Sequence, residues 1–201
     1  MERVLVIACG ALAHDLVRIR DASGWEHMDF QCLPAELHNR PERITQAVRE
    51  KIREARAQYR EIFVAYSDCG TGGELDRMLA EEDIERLPGA HCYEMFAGSR
   101  IFGELQEAEL GTFYLTDFLA RHFERVMVRG LGLDRHPELK DVYFGNYRKL
   151  VLLAQLDDPD IEKRARDAAE YLGLAFERVM TGDSGLGSAL RVRVAMAGQS
   201  A

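Results

Sequence analysis

No apolar stretch in this chain approaches the roughly 20 residues that a membrane-spanning helix needs. An excess of positive charge is missing too: 26 Lys and Arg stand against 34 Asp and Glu, a formal net charge of −8. That balance argues against nonspecific nucleic-acid binding, which needs a Lys/Arg-rich surface to meet phosphates. There is no C-x-x-C pair, so any metal reading has less support from spacing than a zinc-finger pattern would give. Internal repeats, low-complexity segments and an obvious linker are absent as well.

What remains is a chain of 201 residues, 47% hydrophobic and 30% charged, enough to build a real core. The expectation is one α/β domain over 1–194, with possible sub-units 1–108 and 109–194, and a flexible tail at 195–201. The opening MERVLVIACG holds an apolar run too short and too early for a signal peptide. It reads as the first strand of a cytoplasmic protein.

RVLVIACG (3–10) is a continuous apolar run closed by glycine, the pattern of a strand buried on both faces. ALAHDLVRIRDASG (11–24) reads as a helix with Leu12, Leu16, Val17 and Ile19 inward. MDFQCLPAEL (28–37) is a second strand stopped by Pro34. In 40–59, Ile44, Val48, Ile52 and Ala55 recur at helical spacing opposite a charged, solvated face. EIFVAYSD (61–68) is a third strand, 72–87 its following helix, and HCYEMFAG (91–98) a fourth short strand and loop. Strands alternating with helices predict right-handed crossovers, a mostly parallel sheet, helices on both faces, and a site at the carboxyl ends of the strands.

The second half is less regular. Residues 109–133 look helical and aromatic-rich, and 149–155 is a strand. In 157–173 a helix has Asp157 or Asp158 as cap, Pro159 at its start and Gly173 near its end. Residues 175–186 form one more strand-to-loop unit.

Four cysteines lie at 9, 32, 69 and 92. Any one of them alone reads as a small buried hydrophobe. Their placement says more, because Cys9, Cys69 and Cys92 each fall at the predicted end of a strand or beside one. If those strands are neighbours, three thiols meet at one edge of the sheet. Three thiolates leave an open position on a tetrahedral ion, which makes zinc the expected metal and an iron–sulfur cluster the alternative. The competing expectation is a metal-free thiol site or ordinary buried thiols. Cys32, inside strand two, reads as core.

In YSDCGTGG, Gly70, Thr71, Gly72 and Gly73 would let backbone amides approach a substrate or cradle an anion. Asp68 and Glu94 are the candidate acid/base groups, with Glu94 assigned to Cys92's side by strand alternation and His91 to the other. His38 is a candidate acid/base group or reserve ligand, and Arg40 suits a carboxylate or phosphate. The plain alternative has Asn39 capping a helix and both neighbours in an ordinary loop. The loop DVYFGNYRK offers Tyr143, Asn146 and Arg148 for substrate binding, or packs its own aromatics. Asp183 and Ser184 in TGDSGLG belong to the same cleft or form a turn.

Taken together, ACGAL, LPAELHNRP, YSDCGTGG, CYEMFAG, GTFYLTDF and MTGDSGL resemble a prokaryotic family known as a domain of unknown function. The resemblance runs from about Val4 to about Leu186. It implies one-carbon metabolism, because members are often encoded near corrinoid-dependent methyltransferases, and so a corrinoid protein or methyltransferase as partner. The chain has no D-x-H-x-x-G corrinoid-ligating pattern, so it does not resemble a base-off cobalamin carrier. The expected activity is a metal-dependent enzyme acting through thiolates on a small substrate, by methyl transfer or another one-carbon step. The alternative is a non-catalytic metal- or corrinoid-associated accessory protein.

Overall fold

A computed structural model of the chain describes residues 3–197. The chain forms two compact units: residues up to Met95 together with those from Leu186 onward, and Phe96–Gly185. Each unit is an α/β structure around its own three-stranded parallel sheet.

In the first unit the strands are β1 (Val4–Cys9), β2 (Met28–Leu33) and β3 (Glu61–Ala65), in the spatial order β2-β1-β3. The central β1 is in register with both neighbours, Ala8 lying opposite Cys32 on one side and Ala65 on the other. Helix α1 (Ala13–Ser23) links β1 to β2, and α2 (Ile44–Ala55) links β2 back across β1 to β3. These crossovers run in opposite directions along the sheet. Right-handedness therefore puts α1 and α2 on opposite faces. Ile44, Val48, Ile52 and Ala55 of α2 pack on Leu5, Ile7, Val64 and Tyr66, joined by Leu75, Met78 and Leu79 of α3 (Glu74–Glu81). The periodicity expected of α2 is thus its buried face. On α1, Val17 is 41% exposed rather than inward.

The predicted fourth strand at 91–98 is not a strand. Residues Cys92–Ala108 form helix α4, interrupted at Gly98, whose φ of 74° and ψ of 151° lie outside helical space. A short apolar run cannot by itself separate a buried strand from a buried helix turn.

The second unit holds β4 (Thr112–Thr116), β5 (Lys149–Ala154) and β6 (Ala175–Met180), in the order β4-β5-β6. β4 lies inside the stretch expected to be helical; TFYLT is β-branched and aromatic, and all five residues are buried. Helix α5 (Asp117–Arg121) follows at once, capped by the Thr116 hydroxyl accepting from the Leu119 amide, and a π-helical segment runs over Glu124–Arg129. Helix α6 (Leu139–Phe144) leads into β5. Helix α7 (Pro159–Leu172) has the expected ends: Asp158 accepts from the Asp160 and Ile161 amides, and Gly173 closes it at φ 75°. Both crossovers step the same way across this sheet, so their helices share one face, where α5 packs on α7. Helix α8 (Ser184–Ala197) returns the chain to the first unit. It takes in residues 195–197 of the expected tail, and 198–201 lie outside the described residues.

Candidate functional site

In the first sheet β1 sends its chain toward β2, and the chain returns to β3 on the other side of β1. The carboxyl ends of β1 and β3 therefore flank the place where the winding reverses, and crevices open at such places. Cys9 is the last residue of β1, and Cys69 lies four residues past the end of β3. Gly10 must be glycine for the chain to leave β1 here. A Cβ on it would come within 2.8 Å of the Leu33 carbonyl at the end of β2.

After β3 the backbone turns through an unusual run. Cys69 has φ 49°, Gly70 84°, Gly72 63° and Gly73 80°. Three of the four are glycines, and within this loop Cys69 is the residue that carries a side chain in the left-handed region. The loop is fastened by Asp68. Its carboxylate accepts from the Thr71 hydroxyl at 2.7 Å, the Gly73 amide at 2.8 Å and the Gly72 amide at 3.3 Å. The Gly73 amide and the Thr71 hydroxyl, with smaller help from Gly72 and Gly70, hold this carboxyl below the usual range. The amides expected to cradle a substrate anion are therefore already given to Asp68. A carboxyl lowered in this way is poorly suited to donate a proton, so of the acid and base roles expected for Asp68 only the base role fits its surroundings.

Asp68 and Cys69 are also laced to the turn before α4, the Cys69 amide donating to the Ala90 carbonyl at 3.0 Å and the Asp68 amide to Gly89 at 3.4 Å. This brings Cys92, the first residue of α4, to Cys69. Each thiol is the largest influence on the other. Cys92 holds the Cys69 thiol below its ordinary value, against the effect of burial; Cys69, together with burial, raises Cys92 well above. The pair thus favours the thiolate on Cys69 over Cys92.

Cys9 completes the edge. Burial pushes its thiol up to about 11, against the pull of the Ala11 amide, and the Cys69 sulfur is close enough to add to the rise. The Tyr66 hydroxyl bears on Cys9 as well, yet falls short of a well-formed hydrogen bond: it and the Ser67 hydroxyl are buried without a partner. Burial is also what raises Tyr66 most. All three expected thiols thus gather at the carboxyl ends of β1 and β3, although Cys92 arrives on a helix. Among the described residues, no three His, Cys, Asp or Glu side chains are grouped as a metal ion requires. Cys32 is exposed, not core, and opens on a surface cleft with Lys51, Glu54 and Gln58.

His38 sits half-buried in the 3₁₀ turn Ala35–Asn39 after β2. Burial lowers its imidazole from the ordinary value, and the nearby His91 adds to this. Arg40 follows, exposed, between two 3₁₀ turns. A Cβ on Gly70 would touch Pro41 at 3.4 Å, so this segment borders the glycine loop. Glu94 leans back over the turn before α4, its carboxylate 3.4 Å from the Ala90 amide. The alternation that separated His91 from Cys92 does not apply, because the backbone there is not extended. His91 and Tyr66 are the residues sequence reasoning passed over. Tyr66 carried a signal: a hydroxyl at the end of an otherwise apolar buried strand.

In the second unit, Tyr143, Asn146 and Arg148 are exposed, and the loop packs its own aromatics: Phe113 meets Phe144 at 5.1 Å and Tyr147 at 5.6 Å between ring centres. The Arg148 amide donates to the Gly111 carbonyl. This loop thus lies at the amino-terminal ends of β4 and β5, the opposite edge from the one expected to carry a site. Asp183 lies three residues past β6, at the carboxyl edge of its sheet. Ser184 opens α8, and its side chain lies outside the described residues.

A family model described as "Protein of unknown function (DUF1638)" matches residues 32–190. No curated protein and no solved structure matches the chain significantly. No helix among the described residues is long and apolar enough to cross a membrane.

Proposed function

We propose that this chain, which belongs to the DUF1638 family, is an enzyme that acts on a small substrate through the Cys69 thiolate. The observation that carries this is the main-chain lacing of Cys69 to the turn before Cys92 where the winding of the first sheet reverses, with Cys92 lowering the Cys69 thiol. A thiolate is the nucleophilic form of cysteine, and a neighbour that lowers the thiol favours it. His38, His91 and Glu94 border the same edge and supply groups that take up or release protons. Arg40 is the candidate holder of an anionic part of the substrate.

A methyl or other one-carbon unit is the proposed transferred group, with a corrinoid protein or methyltransferase as partner. What supports this is the resemblance of the motifs to a family encoded near corrinoid-dependent methyltransferases. Sulfur suits the task, since a thiolate displaces a methyl group from a good leaving atom and becomes a thioether.

A second reading is metal-dependent and rests on Cys9, a third thiol at the same edge. Cys9, Cys69 and Cys92 are the residues that would hold zinc, or alternatively an iron–sulfur cluster, and the ion would supply stabilisation of thiolate charge. The described arrangement does not group three donors, so the proposed chemistry is assigned to sulfur alone.

Treatment with methylcobalamin, followed by peptide mapping, tests the first reading. Cys69 is expected to be methylated at least about tenfold faster than the exposed Cys32, because it carries the larger thiolate fraction near neutral pH. Equal rates would overturn it and leave the accessory-protein alternative. Elemental analysis of tag-free protein beside Cys69→Ala decides the second: bound zinc or iron that disappears with Cys69 supports it, and metal-free wild type removes it.

A further inference from the structure

Cys69 and Cys92 differ from every other thiol among the described residues in that each is the strongest influence on the other, Cys69 being bonded through its amide to Ala90, two residues before Cys92. Cys9 answers mainly to burial and the Ala11 amide, and Cys32 stands exposed on the edge strand. The contact is imposed by the backbone. Residues 68–69 and 89–90 lie side by side through two main-chain hydrogen bonds, and the Asp68-fastened glycine loop holds Cys69 at its left-handed φ. A disulfide needs its sulfurs about 2.05 Å apart and its Cα atoms within about 4.4–6.8 Å. Two neighbouring thiols on segments laced this way can close into such a bond. Both are partly exposed, so a small reagent can enter.

We infer that Cys69 and Cys92 are an exchange pair that reduces small disulfide compounds and closes into an intramolecular disulfide. This goes beyond the transfer reaction but rests on the same assignment of Cys69 as the nucleophile. The Cys69 thiolate attacks one sulfur of the substrate, forming a mixed disulfide and expelling one thiolate. Cys92 then gives its proton to solvent and attacks the Cys69 sulfur. The mixed disulfide breaks, the second thiolate leaves, and a Cys69–Cys92 bond remains. The substrate has gained two electrons, and the pair has lost them.

The probe is 5,5′-dithiobis(2-nitrobenzoate), used on full-length protein with Cys32→Ser, which removes the exposed thiol. Expected from the pair is rapid release of two nitrothiobenzoate equivalents, with non-reducing peptide maps showing Cys69 joined to Cys92. In Cys92→Ser, release should stop at one equivalent and leave a stable adduct on Cys69. Should that variant not fold, the map of the parent protein decides by itself. A lasting adduct on Cys69 of the parent, with Cys92 still free, overturns the exchange pair and leaves the transfer reading intact. No preferential reaction at Cys69 overturns both.

Discussion

The two sheets handle their carboxyl edges in opposite ways. In the second unit the edge between β4 and β5 is stitched shut. The buried Asp117 carboxylate accepts from the Leu156 amide at 2.9 Å and the Gln155 amide at 3.2 Å, and the Gln155 side chain accepts from the Asp117 amide at 2.9 Å. That same side chain donates to the Leu153 carbonyl. In the first unit the matching carboxylate, Asp68, serves only its own loop. The edge between β1 and β3 is left to thiols and to the unpartnered hydroxyls of Tyr66 and Ser67. A closed edge contributes stability, and an edge with unsatisfied polar groups keeps groups available for chemistry. The winding differs in step: single-direction crossovers accompany the closed edge, and a reversal accompanies the open one.

The largest effect on this contrast should come from Asp117→Ala. It strands two buried amides at once and should lower unfolding free energy by about 3 kcal/mol in urea titrations. The alkylation rate of Cys69 should stay unchanged; a slowed rate would mean that the closed edge also governs the thiols.

Asp68→Ala should cost less, about 1–2 kcal/mol, because the freed loop groups can reach water. Its contribution also carries a pH signature. The folded-state carboxyl is lowered, so the stabilisation is complete above the ordinary carboxylate range. It is lost as acid takes the pH down through the lowered folded-state value. The difference between wild type and Asp68→Ala should therefore shrink on acidification; a difference that persists in strong acid would mean that packing and not charge fastens the loop.

The smallest effect on stability, and the sharpest on chemistry, should come from Cys92→Ala. The pH midpoint for alkylation of Cys69 should rise toward that of an ordinary thiol, because the neighbouring thiol that lowers it is gone. An unmoved midpoint would assign the lowering to the backbone amides instead.

Much of this could be read from the residues. The buried strands, the α2 periodicity and the capped α7 followed from apolar spacing and from Asp158, Pro159 and Gly173 at their proper ends. The gathering of Cys9 and Cys69 followed from parallel topology alone. The route of Cys92 did not, because HCYEMFAG has too few residues to reveal a helical period, and a turn fixed by long-range bonds decides it. TFYLT was absorbed into a helical reading because apolar and aromatic neighbours on both sides masked its boundaries. The loyalty of Asp68 to its loop was invisible as well. A carboxylate beside glycines suits a ligand site and a turn equally, and only the left-handed backbone at residues 69, 70, 72 and 73 turns its oxygens toward the loop.

Helix α8 has a consequence for how the molecule is made. Leu186 and Leu190 are buried, and a Cβ on Gly187 would sit 3.8 Å from Ile19 of α1. The first unit thus recruits a helix synthesised after the whole of Phe96–Gly185. On the ribosome, the segment bearing the cysteines must wait, incompletely packed, until α8 has been translated. The intervening unit, continuous in sequence, meets no such delay, so the unit that carries the thiols completes its packing after its neighbour.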